Sequence, residues 1–408
     1  MRQSVGGSHG PRVLLFDVMA DGHGVKNWTA LLTSPAFREL TIRDRCDVRL
    51  LIPPLLRARL ESELAGRVEL APLCDESPDG LEDFHTSAGR RRAIRTLGQA
   101  LRRERYDACL ILYGDSLLFY LPLLKLLHRR GSLGALFFRP IIHYRARGYS
   151  LGDATWAQYG RPLLKNVLLL AFLKVRLLSL ALFQDDGGVE WFRRRGVPVL
   201  WCPTPPIDST DEPVVRAASA RMRFTLFGSI SRRKGVFKIL EAWTALPAAL
   251  RERTQLRLIG RIEADDRNEV LAAVGQMGDG EVEVDDRFVA NREIRDVYAG
   301  TDVMLLPYSG LHVGTSGILV QCALWDMPVL VEDLGWVGAT TSRLGLGRTV
   351  RFRDVEAVQR AVTACVERPD ALVPGPEARA FGQGHLPAIY GEQIVAAVRQ
   401  LVSRRTSA

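Results

Sequence analysis

The sequence predicts an α/β protein built from two similar halves, and three observations support this prediction. Short apolar segments alternate with helix-length segments, which is typical of parallel sheets. The alternation occurs twice, first from Arg12 and again from Arg223. Between the two series, residues 203–219 are rich in Pro, Ser, Thr and acidic residues, as linkers often are. The 408 residues also exceed one ordinary core, so we expect two domains of roughly 200 residues each.

Each series contains a set of strand candidates. Those of the first are residues 12–17, 48–52, 67–71, 107–114, 134–138, 181–184 and 197–201. Those of the second are residues 223–228, 256–260, 282–286, 302–308, 327–333 and 348–352. Open parallel sheets bind ligands at the carboxyl ends of their strands, so we expect the chemistry in strand-to-helix loops.

The expected organisation has four parts. Residues 1–11 form a flexible tail, 12–205 a first domain, 206–385 a second domain, and 386–408 a final helix that returns to the first domain.

The composition favours a folded protein that binds small anions. The formal net charge is +9, and arginine supplies nearly all of the 55 basic residues. No dense basic run interleaved with aromatic residues is present, so we expect phosphorylated small molecules as partners and no nucleic acid. The six cysteines are scattered without metal-ligand spacing, which favours reduced core residues and no metal. The first residues contain no apolar stretch, and we expect a cytoplasmic protein.

One long apolar segment, residues 163–183, raises the question of a membrane. It carries Lys165, Lys174 and Arg176, which argue against a spanning helix. We expect a helix that packs on a sheet and runs into a buried strand. Peripheral contact with the inner face of a membrane is the alternative.

The loop after the first strand of the second series, FGSISRRKG, is the stronger of two candidate anion sites. Ser229 offers a hydroxyl, and Arg232, Arg233 and Lys234 place three cations where a helix begins. Because a helix N-terminus already favours anions, this loop is a candidate diphosphate site. The alternative is a solvated basic turn.

The second candidate loop is GLHVGTSG, at residues 310–317. Gly314, Thr315, Ser316 and Gly317 precede an apolar helix, and small residues let backbone N–H groups approach an anion or a sugar closely. Simple capping of the helix by Thr315 or Ser316 would need no ligand, although capping and binding can coexist.

The second half resembles the nucleotide-sugar domain of family 4 retaining glycosyltransferases, which have the two-domain GT-B fold. The resemblance extends from FGSISRRKG through DVMLLPYSGLHVGTSGILVQCALWDMPVLVEDLG, about a third of the chain. The first half is similar more loosely, through DGHGV (21–25) and FFRPIIHY (137–144). The resemblance implies two Rossmann-like domains that face each other across a cleft. It also implies sugar transfer from a nucleoside diphosphate sugar, with no metal or other cofactor, to a polysaccharide, lipid-linked or natural-product acceptor.

The resemblance also implies roles for individual residues. Lys234 matches the lysine that contacts the donor diphosphate and stabilises the leaving group. Family members often carry an arginine where this chain has Ser229, and Arg232 or Arg233 could substitute for it.

Two family glutamates spaced eight residues apart fall on Val313 and Gln321. The amide oxygen of Gln321 can still accept a bond from a ribose hydroxyl. Val313 cannot bind a sugar hydroxyl, so either His312, Thr315 or Ser316 takes that role or the contact is lost.

In the first half, the resemblance places His143 beside the reacting sugar, where its backbone or ring could stabilise developing charge. A packed or surface histidine is the alternative. Gly22 and His23 match the loop that approaches the donor phosphate.

Two rival interpretations remain open at this point. A metal-dependent glycosyltransferase of the other major fold would use an acidic pair such as Asp185-Asp186, although this pair also fits the start of a helix. A GT-B scaffold that binds a nucleotide sugar or a partner enzyme without turnover is favoured by the missing glutamates and disfavoured by the Lys234 loop.

Overall fold

The chain forms two compact units, each with its own parallel sheet. The computed structural model describes residues 10–19, 22–65, 84, 86–152, 156–278, 280–310, 314–369 and 373–406. Unit 1 contains the described parts of Met1–His143, Pro162–Pro205 and Pro387–Ala408, and unit 2 those of Tyr144–Arg161 and Pro206–Leu386. The predicted α/β class with two similar halves is therefore confirmed.

Six parallel strands form the sheet of unit 1, in the order β2-β1-β3-β4-β5-β6. They are β1 (Arg12–Phe16), β2 (Asp47–Leu51), β3 (Ala108–Ile111), β4 (Ser132–Phe137), β5 (Leu180–Phe183) and β6 (Val199–Trp201). The helices described in this unit are α1 (Gly22–Leu32), α2 (Pro35–Ile42), α3 (Pro54–Leu64), α4 (Ser87–Arg103), α5 (Leu121–Leu127), α6 (Trp156–Lys174), α7 (Asp186–Arg193) and α16 (Pro387–Thr406).

Helices cover both faces of this sheet. Leu14 and Phe16 of β1 pack with α4, α5, α6 and α7, whereas Val13 and Leu15 pack with α1, α2, α3 and α16. Because successive side chains of a strand point to opposite faces, a sheet buried on both sides needs the continuous apolar runs seen in the sequence. Helix α16 contributes Tyr390 and other buried residues to the second of these cores.

The sheet of unit 2 has the order β12-β11-β10-β7-β8-β9, again fully parallel. Its strands are β7 (Met222–Phe227), β8 (Thr254–Ile259), β9 (Val282–Asp285), β10 (Val303–Leu306), β11 (Val329–Glu332) and β12 (Gly347–Val350). Its helices in the described chain are α8 (Val236–Thr244), α9 (Ala248–Arg251), α10 (Ala264–Val274), α11 (Ile294–Ala299), α12 (Gly317–Leu324), α13 (Gly335–Leu344), α14 (Val355–Glu367) and α15 (Pro376–Gln383).

Every predicted strand overlaps an observed one except residues 67–71, which lie outside the described residues. The prediction for residues 163–183 is confirmed, since α6 ends at Lys174 and β5 follows. None of the helices in the described part of the chain is long and apolar enough to cross a bilayer.

The division into units differs from the expected domains in one segment. Residues 144–161 were expected in the first domain and belong to unit 2. One long-range contact that ties this segment to unit 2 is the 2.7 Å hydrogen bond that the backbone oxygen of Ser150 accepts from the N–H of Gly335. Helix α6 therefore begins in unit 2 and enters unit 1 at Pro162. The expected 205/206 boundary coincides with a division between the units, and α16 lies in unit 1.

A buried histidine lies between α5 and β4. His128 is 5% exposed, and its Nε2 atom has no hydrogen-bond partner among the described residues. Burial, together with the nearby charge of Lys125, lowers the pKa of His128 to about 4.

We expect this histidine to make the protein less stable in acid. Between pH 6.5, the ordinary pKa of the side chain, and about pH 4, the imidazole binds a proton in the unfolded chain but not in the folded one. The free energy of unfolding should therefore fall with decreasing pH, by about 3 kcal/mol over this window. Urea unfolding at several pH values checks this for the wild type and for His128→Gln, in which that part of the pH dependence should disappear. Equal pH dependence in both proteins would contradict it.

Candidate functional site

The two candidate anion loops follow the two central strands of the unit 2 sheet. Strands β7 and β10 are neighbours, and the strand order reverses between them. Ser229–Lys234 follows β7, and the described residues Gly314–Gly317 come after β10 and before α12. Such a reversal point, at the carboxyl ends of the strands, is where open α/β sheets bind ligands. The fold thus brings both loops to one edge.

The backbones of these loops are in direct contact. Gly235 has a φ of 84°, and a Cβ atom at this position would lie 1.8 Å from the carbonyl oxygen of Pro307. The N–H of Ser309 also donates a 3.0 Å hydrogen bond to the carbonyl oxygen of Arg233. Only glycine fits here, because any side chain would strain the backbone and overlap the Pro307 carbonyl.

Lys234 is oriented by a tyrosine. Its Nζ atom donates to the hydroxyl of Tyr308 at 3.1 Å and lies 4.4 Å from the centroid of the same ring. The Tyr308 hydroxyl lies 2.9 Å from the Oγ atom of Ser316, which caps α12 by accepting from the N–H of Leu319. Tyr308 is only 1% exposed, so it connects the cation to the start of α12 through a fixed ring. Sequence reasoning missed Tyr308, although it directly follows a buried strand at the start of the loop.

A second lysine lies one helical turn further along. Lys238 donates to the Oε2 atom of Glu332 at 2.7 Å and to the backbone oxygen of Tyr308 at 3.1 Å. Its charge is therefore paired within the protein, and it secures the loop after β10. Its position four residues after Lys234 was the available sequence signal.

The two arginines of the first loop have different surroundings from Lys234. The guanidinium of Arg232 pairs with Glu269 at 2.6 Å and with Asp266 at 3.5 Å. Arg232 could take the role of the missing family arginine only if these ion pairs broke. The geometry therefore disfavours that role for Arg232. Arg233 is exposed. The hydroxyl of Ser229 donates to Glu263 at 2.7 Å, so it is engaged as well.

Among the residues predicted around α12, Ser316 and Gln321 have defined partners. Gln321 is fully buried, and its Oε1 atom accepts a 2.8 Å hydrogen bond from the N–H of Asp208. The oxygen predicted to bind a ribose thus already accepts a bond from the linker, and its role toward a nucleotide stays a prediction. Gly314, Thr315 and Gly317 are half-buried beside Ser316. His312 and Val313 lie outside the described residues.

A cavity of about 330 Å³ opens beside the first loop, at the carboxyl ends of β8 and β9. Its lining consists of Arg261, Ile262, Ala264, Arg267, Asn268, Asp286, Arg287 and Phe288. It adjoins the loop after β7 because Ile230 forms a parallel bridge with Ile262. The side chain of Phe288 is 75% exposed, which leaves an aromatic face available for stacking.

In unit 1, His143 is packed rather than exposed. Its Nε2 atom lies 3.1 Å from Oδ2 of Asp185, and both side chains have no exposed surface. Asp185 also caps α7 by accepting from the N–H of Gly188, so the Asp185-Asp186 pair does begin a helix. Of the two predicted roles, through the ring or through the backbone, the ring role would require this buried pair to open. The backbone role of His143 stays a prediction.

Gly22 and His23 lie in the first turn of α1, which follows β1. Strand β1 borders β3 where the strand order of unit 1 reverses. The predicted phosphate-facing position is thus at a helix N-terminus. Asp115, after β3, was not singled out by the sequence. It accepts a 2.8 Å bond from the N–H of Phe138, and burial raises the pKa of its carboxyl group.

Within the described ranges, no three His, Cys, Asp or Glu side chains form a cluster suited to a metal ion. No family model matches the sequence, and no curated protein matches it. Solved structures do match across nearly the whole chain. HepE of Anabaena in complex with UDP is 14% identical, with a TM-score of 0.63, and the match covers 96% of this chain and 100% of HepE.

Two further structures show the same likeness. The sucrose-phosphate synthase of Thermosynechococcus elongatus is 14% identical, with a TM-score of 0.61 and coverage of 97% of this chain and 99% of that one. The chain has the GT-B fold. The UDP-GlcNAc 2-epimerase of Neisseria meningitidis, bound to UDP-GlcNAc, also matches, at 11% identity and a TM-score of 0.53, over 96% of this chain and 100% of the epimerase. The GT-B fold alone therefore does not name the reaction.

We expect Gly235→Ala to disrupt the site. The added methyl group overlaps the Pro307 carbonyl and occupies a left-handed conformation, so the free energy of unfolding of unit 2 should fall by about 2 kcal/mol or more. Urea unfolding measures this loss. Gly345→Ala is a matched control, because that glycine also has a positive φ but open space around its Cβ position. An equal loss in both variants would contradict a specific role for the approach to Pro307.

Proposed function

We propose that the chain is a retaining glycosyltransferase that binds a nucleoside diphosphate sugar at the β7–β10 edge of unit 2. The observation that carries this proposal is the state of Lys234. In the described part of the chain its Nζ atom pairs with no carboxylate, whereas Lys238 and Arg232 both do. A cation that is oriented but not neutralised, beside a helix N-terminus, suits a diphosphate.

The chemistry required of this edge is stabilisation of a leaving group. When the bond between the sugar and the diphosphate breaks, negative charge grows on the departing phosphate oxygen. A charge-assisted hydrogen bond from Lys234 contributes about 1.5 to 3 kcal/mol to that state. The N–H groups at the start of α12 add favourable dipoles on the same side. No metal is needed for this step, and activity is expected to persist in a chelator.

The nucleoside has a natural place in the cavity after β8 and β9. That cavity adjoins the loop that carries Lys234 through the bridge between Ile230 and Ile262, and we infer that one ligand extends from the cavity to the proposed diphosphate position. Phe288 offers a face for base stacking, and Arg261 and Asn268 offer donors for polar groups. HepE in its complex with UDP supports a nucleotide of this type. The roles of Gly22, His23 and the His143 backbone rest on the sequence resemblance.

A second candidate function is nucleotide-sugar binding without turnover. Gln321 stands where the family has a glutamate, and its amide oxygen is already bound to the linker at Asp208. This bond engages the oxygen that was expected to bind the nucleotide, and that engagement favours a scaffold. The acceptor does not help to distinguish the two, because polysaccharide, lipid-linked and natural-product acceptors all fit the proposal.

A two-stage experiment tests both candidates. Thermal unfolding is first followed with UDP, GDP, ADP and dTDP and with the corresponding nucleosides. A ligand at a hundred times its Kd stabilises the folded state by about 2.7 kcal/mol. The proposal requires one diphosphate to raise the melting temperature more than its nucleoside does. Nucleoside diphosphate sugars that carry the same base are then tested as donors for hydrolysis and for sugar transfer. Binding without any product supports the scaffold, and no stabilisation by any nucleotide overturns both.

Replacing Lys234 should affect turnover more than replacing Arg232. Lys234→Ala removes the proposed leaving-group contact and should lower kcat by about ten- to a hundred-fold. Arg232→Ala is the matched control, because its guanidinium is bound by Glu269 and Asp266. Steady-state kinetics on both purified variants measures the difference in kcat, after circular dichroism has shown that both variants are equally folded. An unchanged kcat in Lys234→Ala would contradict the assignment of Lys234 as the residue that stabilises the leaving group.

A further inference from the structure

Helix α6 is apolar on two opposite faces. Leu169 and Leu173 are buried in the core of unit 1. On the other side, Leu164, Val167 and Val175 are 55%, 47% and 69% exposed. Residues three or four apart share one face of a helix, so these exposed side chains form a stripe along α6 and its C-terminal end. A helix that is apolar all round is normally covered on every side.

The neighbouring segment repeats this arrangement. Leu121 and Leu124 of α5 are buried, whereas Phe119, Leu123 and Leu126 are 48%, 45% and 52% exposed. Together the two stripes hold six of the twelve large exposed apolar side chains in the described ranges. Scattered exposed apolar residues are ordinary, but a concentration of this kind marks an interaction surface.

The two stripes belong to one surface. Helices α4, α5 and α6 all pack on the same core, on one face of the unit 1 sheet. The Nζ atom of Lys165, on α6, lies 5.7 Å from the ring centroid of Phe119 and donates to the backbone oxygen of Asp115. We call the exposed side of α4, of residues 117–130 and of residues 162–179 the docking face.

The docking face is rich in cations, although Glu104 at the end of α4 and Asp186 and Glu190 of the neighbouring α7 place acidic groups at its border. Its three segments contain twelve basic residues and no acidic one, whereas the whole chain has 55 basic and 46 acidic residues. Helix α4 supplies an exposed row of arginines: Arg91, Arg92, Arg95, Arg102 and Arg103. The opposite face of unit 1 is mixed, since α2 and α3 carry Glu39, Glu61 and Glu63. The basic excess is therefore concentrated in α4 and in the two segments that carry the apolar stripes.

We propose that the docking face binds the surface of a lipid bilayer that contains anionic lipids. Apolar stripes beside a basic row are what an interfacial protein needs, because the apolar groups enter the boundary region and the cations contact the headgroups. The long side chains of lysine and arginine keep their charges near the headgroups while their stems cover apolar surface. A second copy of the chain fits less well, because a symmetric contact of this face would bring cations against cations.

This docking does not depend on the function proposed above, since it rests on unit 1 alone. One consequence does rest on that function: a glycosyltransferase held at a bilayer would favour lipid-linked acceptors. Nucleotide binding and vesicle binding are measured in separate experiments. A failure of the proposed function can therefore be distinguished from a failure of the proposed docking.

Sedimentation of the full chain with vesicles tests the proposal. We expect binding to vesicles of phosphatidylcholine and phosphatidylglycerol, weaker binding to phosphatidylcholine alone, and loss of binding at high salt. Absence of binding to the anionic vesicles overturns the proposal. Gel filtration without lipid provides a second check, because a dimer that the variants below dissociate would assign the face to a second copy instead.

Two pairs of variants locate the contact. The charge pair compares Arg91→Glu/Arg92→Glu/Arg95→Glu with the control Arg38→Glu/Arg43→Glu/Arg57→Glu on α2, its C-terminal end and α3. The apolar pair compares Leu164→Gln/Val167→Gln with the control Ile42→Gln/Leu55→Gln, also from the opposite face. All these positions are exposed, so melting temperatures should stay close to that of the wild type.

We expect the α4 triple variant to weaken partitioning by about a hundred-fold or more, since each lost cation accounts for roughly five-fold and each new carboxylate adds repulsion. The apolar variant should weaken it by about ten-fold or more. The first control keeps the same net charge as the α4 variant, so equal weakening by both charge variants would show a general charge effect and overturn the proposed face.

Discussion

The close approach of Gly235 to the Pro307 carbonyl is the contact on which the candidate site depends. It joins the loop after β7 to the loop after β10, two segments about 70 residues apart in sequence. With the loops joined, Lys234 meets Tyr308, and Tyr308 meets the cap of α12 at Ser316. The parallel sheet supplies the reason that these loops are neighbours at all, because β7 and β10 pair where the strand order reverses.

Much of this arrangement could be predicted from the sequence. A parallel strand buried on both faces must be apolar throughout, so the strands stood out, and each ends in a loop at a known edge of the sheet. Small residues and cations concentrated in two such loops then indicated the site. Ordinary helix-start chemistry predicted a cap at Thr315 or Ser316, and Ser316 is the residue that caps α12.

What the sequence could not reveal are the partners that arrive from distant segments. Arg232 looked equivalent to Lys234, but Asp266 and Glu269 on α10 bind its guanidinium. Nothing in the sequence indicated that the backbone N–H of Asp208, in the linker, donates to the amide oxygen of Gln321. The local sequence pattern is the same whether or not such a partner exists, because tertiary packing determines which distant residue becomes the partner.

The most direct test of the account is calorimetric titration with the preferred nucleoside diphosphate and with its nucleoside, on the wild type and on Lys234→Met. If Lys234 binds the diphosphate, the diphosphate should bind the wild type more tightly than the nucleoside does. In the variant that advantage should shrink by about ten- to a hundred-fold, with nucleoside affinity unchanged. An equal advantage in both proteins would contradict a diphosphate site built on Lys234.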